Sequence, residues 1–178
     1  MDYVLTHPHF LLRHKALVAH ENDELVKSMH RIMKKAAGIG LAANQIGNAN
    51  RIFVYKLPDG TKGHFVNPKI IDRSNLYHTT EGCLSLPGKS YLVNRYENIT
   101  VQSYNHPTQE YTGLLAQIIQ HEIDHLNGTL YIDKAQLSTL MTTENYIKLY
   151  KDKGIQEIQA ALFLADKTCK AASGVNVK

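Results

Sequence analysis

The stretch Gly113-Leu114-Leu115-Ala116-Gln117-Ile118-Ile119-Gln120-His121-Glu122-Ile123-Asp124-His125-Leu126-Asn127-Gly128 decides how this chain folds. Leu114, Leu115, Ile118, Ile119, Ile123 and Leu126 cover nearly the whole circumference of a helix over Gly113–Asn127. A helix that is apolar all round is buried. Gly128 supplies a left-handed stop. Within the stretch, His121, Glu122 and His125 form H-E-x-x-H. On a helix the two histidines lie one turn apart on one face and can hold a single metal ion. Glu122 sits beside the first of them, where a carboxylate can move a proton on or off activated water. So apolar a helix should not carry these three side chains unless they are paired or ligated.

Working outward, the pattern reads as small strands around this helix. Leu25, Met29, Ile32, Met33 and Ala36 recur at helical spacing over Asp23–Ala37, with Asn22 or Asp23 as cap and Gly38 as the stop. Gly40–Gly47 reads as a loop and short strand of small residues. Arg51–Tyr55 and His64–Val66 read as strands across a Pro58-Asp59-Gly60 turn, and Asn98–Tyr104 alternates as a third strand. Ser138 is placed to cap a helix over Thr139–Lys153, Gly154 breaks it, and Ile155–Ala165 forms a further amphipathic piece. The fold class expected is α+β: small antiparallel sheets packed around a central buried helix carrying H-E-x-x-H, with a C-terminal helix. Residues 1–165 form one domain in this reading, and 166–178 a flexible tail.

Composition sets bounds. A chain of 178 residues, 43% hydrophobic and 20% charged, fits one domain with a sizeable core. No run approaches the roughly 18 apolar residues that cross a bilayer. No signal or transit peptide is visible at the N-terminus. The two cysteines, Cys83 and Cys169, are too few for a disulfide scaffold and point to a reducing compartment. The formal charge of +4 has much of its excess late, at Lys148, Lys151, Lys153, Lys167, Lys170 and Lys178. That excess reads either as a solvated helix face and tail or as attraction to an acidic or nucleic-acid surface; the first is the simpler reading.

Two upstream clusters complete the picture. Glu81-Gly82-Cys83-Leu84-Ser85-Leu86-Pro87 offers a thiolate as a third ligand, and Gly38-Ile39-Gly40-Leu41-Ala42-Ala43-Asn44-Gln45-Ile46-Gly47 offers a side-chain amide. Taken singly these are weak signals. H-E-x-x-H arises by chance as two hydrogen-bonded core histidines, and a lone buried Cys is more often a small hydrophobe than a ligand. Together, in this order and spacing, Gly38/Gly40–Ala43/Gln45, Glu81–Ser85 and Gln120–Leu126 resemble the three motifs of the peptide deformylase family. The resemblance spans roughly Leu5 to Asp133.

The resemblance implies a metallohydrolase that removes the formyl group from N-formylmethionyl nascent chains and releases formate. It implies Cys83, His121 and His125 as metal ligands and Glu122 as general base and acid. It also implies Gln45 and the Leu84 backbone N–H as donors to the oxyanion. Glu81 and Arg95 are expected to pair behind the ligands and orient them, and Arg95 also to face substrate with Gly40, Gly82 and Gln117. Gly38 is expected to cap its helix and Gly40 to let a bound peptide approach. Cys/His/His geometry suits zinc by general rules; the resemblance implies Fe²⁺ as the physiological metal, with Zn²⁺, Ni²⁺ or Co²⁺ in preparations. The expected partners are nascent peptides and the ribosome near its exit, with no membrane and no direct nucleic-acid readout. The expected compartment is the cytoplasm, or an organellar stroma or matrix after transit-peptide removal.

The chain departs from the family pattern in three places. The segment between Ile99 and Gly113 is short, Gln117 stands where the family has an apolar residue, and nothing after Gly154 matches. Two other readings stay open. A zincin-like endopeptidase needs H-E-x-x-H but has no use for the Gln45 motif or Cys83. A binding protein for formylated N-termini or the ribosome predicts loss of Glu122 or a ligand, and all are present.

Overall fold

The computed structural model describes residues 3–141. The first helix, α1, runs Asp23–Lys35. Asn22 caps it through a 2.9 Å bond accepted from the Leu25 N–H. Asp23 and Glu24 open it and Lys34 and Lys35 close it, the charge order its dipole favours. Its end corrects the sequence reading. Ala37, not Gly38, takes the left-handed conformation, at φ 52°. The Ala37 N–H reaches the Lys34 carbonyl and the Gly38 N–H reaches that of Met33, so Gly38 is the second residue of a Schellman turn.

Strands β1 (Gly40–Ala42), β2 (Ile52–Lys56) and β3 (Lys62–Val66) form an antiparallel sheet in that order, with β1 at one edge. Both faces of β2 are covered. Ile52 and Val54 pack with Met29 and Met33 of α1, while Phe53 packs with residues 119 and 123 of the second helix. That explains an unbroken apolar run where one-sided strands alternate.

The second sheet rests on one long hairpin, β4 (Lys69–Cys83) and β5 (Leu86–Gln102). The strand expected over Asn98–Tyr104 is only the last part of β5. The rest was hidden because Asp72–Leu76 of β4 is exposed and polar-rich, and because a buried Arg95 interrupts the apolar face of β5. The short β6 (Gln109–Thr112) pairs with Asn98–Val101.

The expected C-terminal helix needs a correction at its start. Ala135–Met141 is a strand, β7, that includes Ser138 and Thr139. It pairs with β5 through Ser90, Tyr91 and Val93. The physical reason is an edge: β6 covers β5 only further along, and β7 satisfies the backbone groups left open. The rest of the helix expected to Lys153, the piece over 155–165 and the tail 166–178 lie outside the described residues.

The central helix, α2, runs Gly113–Leu126. Gly113 enters it at φ 60° and Gly128 ends it at φ 75°, where the Thr129 N–H reaches the Asp124 carbonyl. Ala116, Ile119, Ile123 and Leu126 pack with Phe53, Phe65, Ile99 and Val101 from both sheets. Small antiparallel sheets around a buried H-E-x-x-H helix are therefore the observed architecture. Among the described residues no helix is long and apolar enough to cross a membrane.

Candidate metal centre

Three segments meet at α2. At the end of β4 a register shift falls between Gly82 and Cys83, and Cys83 pairs with Leu86 across a tight turn through Leu84 and Ser85. The turn aims the Cys83 thiol at α2. Its Sγ lies 3.1 Å from His125 Nε2. Ligand atoms of Cys83, His121 and His125 all fall within 4.8 Å of one another, close enough for one ion to touch all three. The donor set fits a divalent ion of borderline softness. A second observation supports the fit: Glu122 Oε2 is buried with no hydrogen-bond partner among the described residues. A lone buried carboxylate oxygen is costly and calls for a group to face.

By contrast, Gln120, His121 and Asp124 of this apolar helix find partners in other elements, while His125 Nδ1, like Glu122 Oε2, is buried with no hydrogen-bond partner among the described residues. His121 Nδ1 is 2.9 Å from Glu81 Oε2, which leaves Nε2 for an ion. Glu81 accepts two bonds of 2.7 Å from Arg95, and the same guanidinium donates to Asp124 Oδ2 at 2.6 Å. Lys134 Nζ closes the chain on Asp124 Oδ1 at 2.6 Å. Burial alone would raise the Glu81 pKa, but Arg95 and then His121 outweigh it and hold the carboxyl well below the usual range. Gln120 pairs both ends of its amide with the backbone of Tyr96, as a strand neighbour would.

Glu122 behaves in the opposite way. Burial is the leading cause that pushes its pKa up to about 7; the Glu81 and Asp124 charges push it further up, and His121 and Arg95 oppose. A carboxyl group poised there both takes and returns protons near neutrality. Burial also carries the His125 pKa well below its ordinary value, which favours the neutral ring a ligand needs.

Gln45 sits in a 3-10 turn directly after β1. Its Oε1 accepts the Ala42 N–H at 2.8 Å. Its Nε2 donates to Ser85 Oγ at 3.1 Å and points at Cys83 Sγ, 3.7 Å away. Leu84 Cδ1 comes within 2.7 Å of where a Cβ on Gly38 would stand. Gly40 has a reason the sequence did not reveal. A Cβ there would stand 2.3 Å from Glu122 Oε1 and 3.1 Å from Ile118 Cγ2.

The expected residues thus converge, with two differences of placement. Arg95 is 2% exposed and occupied by Glu81 and Asp124, which suits the orienting expectation and not a substrate-facing one. Gln117 is half-buried, and its Oε1 accepts weakly from the Thr79 hydroxyl at 3.5 Å. Sequence reasoning missed Asp124, Ser85, Lys134 and Tyr131. Tyr131 is 1% exposed, its ring centroid is 5.9 Å from that of His121, and its hydroxyl bonds the Lys89 carbonyl. Asp124 was findable, since an acid on a buried helix must have a partner. Ser85 closes the Glu81–Ser85 motif but was given no role, and Lys134 and Tyr131 carry no local signal.

Known proteins place these features. The family described as polypeptide deformylase matches residues 1–140. A peptide deformylase of Clostridium botulinum (strain Alaska E43 / Type E3) is 41% identical over 132 residues, covering 70% of this chain and 89% of that protein. One of Acidothermus cellulolyticus is 43% identical over 114 residues, covering 62% of this chain and 63% of that protein, so the match spans less than two thirds of that relative's length. The crystal structure of a class I type b peptide deformylase from Acinetobacter baumannii, with Met-Ala-Ser bound, aligns with a TM-score of 0.67 at 29% identity, covering 74% of this chain and 96% of that one. The chain belongs to the polypeptide deformylase family of metal-dependent hydrolases, which remove the formyl group from nascent peptides.

Proposed function

We propose that this chain hydrolyses the formamide at the N-terminus of formylmethionyl peptides, with Cys83, His121 and His125 holding one divalent ion. The observation that carries the reading is the meeting of that thiol and those two imidazoles within 4.8 Å, beside a carboxyl group whose pKa is pushed up to about 7. When bound, the ion supplies Lewis-acid chemistry, acidifying water and polarising the carbonyl. Fe²⁺ is the physiological ion in this reading, with Zn²⁺, Ni²⁺ or Co²⁺ able to take its place.

Glu122 takes the proton from the attacking water and returns it to the leaving amine as the C–N bond breaks, so formate and a free amino group leave. Proton transfer of this kind contributes about 10²–10⁴-fold. Gln45 Nε2 and the Leu84 N–H face the negative charge on the former carbonyl oxygen; losing one such donor costs about 3–4 kcal/mol of barrier. Glu81, held by Arg95, fixes the tautomer and ring of His121. The peptide adds as a strand beside Gly40 and Gly82. Support comes from β1 and β4, which each stand at a sheet edge. The Met-Ala-Ser in the Acinetobacter baumannii relative supports a peptide of this length as occupant. Nascent chains emerging from the ribosome, in the cytoplasm or an organellar matrix, are the substrates.

The deciding experiment is formate release from formyl-Met-Ala-Ser by iron-loaded protein, with internal peptide bonds of a longer substrate followed alongside. Stoichiometric formate and intact internal bonds are expected. Internal cleavage without formate would replace the reading with an endopeptidase, and binding without either product with a recognition protein.

A further inference from the structure

Around α2 from the metal centre lies a second concavity of about 690 Å³. Gln120, Ile123 and Asp124 of α2 and Asn127 at its C-terminal cap line it, on a stripe offset from the one that carries His121 and His125. Among its lining residues are six cationic side chains and a single carboxylate, Asp124. Asp124 is already shared by Arg95 and Lys134, so no acid remains to neutralise the rest. The lining therefore carries a local excess of positive charge.

The cations divide into two kinds. Arg51 is fixed, donating to the Leu126 and Pro68 carbonyls and to Asn127. Lys15, Lys69 and Arg73 are exposed and make no ion pair with another described residue. Arg73 instead stands 4.7 Å over the Tyr96 ring. At the rim Tyr104 is 73% exposed, although its backbone N–H is anchored on the Val66 carbonyl. An acidic peptide would meet the charge but has no use for a bare aromatic face among cations. Phosphates with flat bases use both, as grooves for single strands do.

We infer that this groove binds a single strand of nucleic acid without reading its sequence, phosphates lying against Lys15, Lys69 and Arg73 and one base stacking on Tyr104. Lys15, Lys69, Arg73 and Tyr104 have no part in the reaction assigned to the metal centre, although the groove shares Arg95 and Asp124 with the charged row behind His121. The contacts are electrostatic and aromatic, so affinity is modest and falls with salt.

Fluorescence anisotropy with the full chain and a labelled oligouridylate tests it. The oligomer should be about a dozen nucleotides long, within the ~4–16 nucleotides such grooves cover. A dissociation constant of about 10⁻⁴–10⁻⁶ M near physiological salt is expected. The double variant Lys69→Glu, Arg73→Glu should lower the slope of log affinity against log salt by about 1.4, two contacts at ~0.7 each. Tyr104→Ala should weaken binding by roughly 10-fold, the scale of one lost stack. Both variants should release formate at the parent rate, which also reports that they are folded. If the double variant does not fold, Lys69→Gln and Tyr104→Ala singly carry the test. Lysines after Met141 lie outside the described residues, and the groove variants separate their contribution from this one. The inference is overturned by three results: salt-insensitive or absent binding, equal affinity of parent and charge variants, or displacement by polyglutamate as effective as by oligouridylate.

Discussion

At the scale of single residues, Gly40 and Glu122 are one unit. The Glu122 carboxylate occupies the space that a side chain at position 40 would take, with a clash at 2.3 Å. Gly40→Ala should therefore leave the metal ligands alone and displace the proton carrier. We expect metal content near that of the parent and a loss of turnover of at least about 10-fold, a part of the general-base contribution. Normal turnover would mean that Glu122 has room to retreat. Glu122→Gln should go further, keeping the metal and losing at least about 10²-fold in turnover. Near-normal rates in metal-loaded Glu122→Gln would remove that residue from the mechanism. Gln117 poses a subtler question. It bonds Thr79 only at 3.5 Å, so its amide is poorly satisfied, and in the proposed reading a substrate's first side chain passes it. Gln117→Ile should lower KM for formyl-Met peptides by roughly 5-fold, the value of about 1 kcal/mol of imperfect polar contact, with little change in kcat. Identical kinetics across several first residues would assign Gln117 to Thr79 and not to the pocket.

At the scale of elements, the β4–β5 hairpin and α2 are joined by charge. Glu81 on β4, Arg95 on β5 and Asp124 on α2 form a buried row that ends on His121 at one side and Lys134 at the other. Arg95 is the shared member and is 2% exposed. Removing one partner from a buried ionic network leaves uncompensated charge and costs about 3–5 kcal/mol. Arg95→Met should destabilise the protein by that amount in urea unfolding. It should also weaken metal binding by about 10–100-fold, because Glu81 loses the contact that orients it toward His121. A variant with parent stability would show that Glu81 and Asp124 take up protons or other partners at little cost. The same row explains why the hairpin was hard to see in the sequence. Its interior face carries an arginine and a glutamate where an apolar period would normally reveal it.

At the scale of the whole molecule, α2 is enclosed by two sheets whose strands among the described residues, β7 excepted, all precede it. The last described strand, β7, ends at Met141 and the family match ends at residue 140. A chain ending at Lys153 retains all of these residues, so it should deformylate short peptides at the parent rate. Folded but inactive protein would place part of the site in the removed segment. The candidate ligand set was implied only by three separated motifs taken together, whereas the central helix, its left-handed stop and the cap of α1 were legible because each depends on residues within a turn or two. Local chemistry dictates them: helical periodicity, glycine at positive φ, an asparagine at the helix start. The extent of the β4–β5 hairpin, the strand at Ala135–Met141 in place of a helix start, the steric need for Gly40 and the basic groove behind α2 were not. Each of these depends on groups far apart in sequence, on an open strand edge, on a carboxylate eighty-two positions away, or on cations gathered from several elements. No local pattern encodes such distances; they exist only once the sheets have closed around the helix.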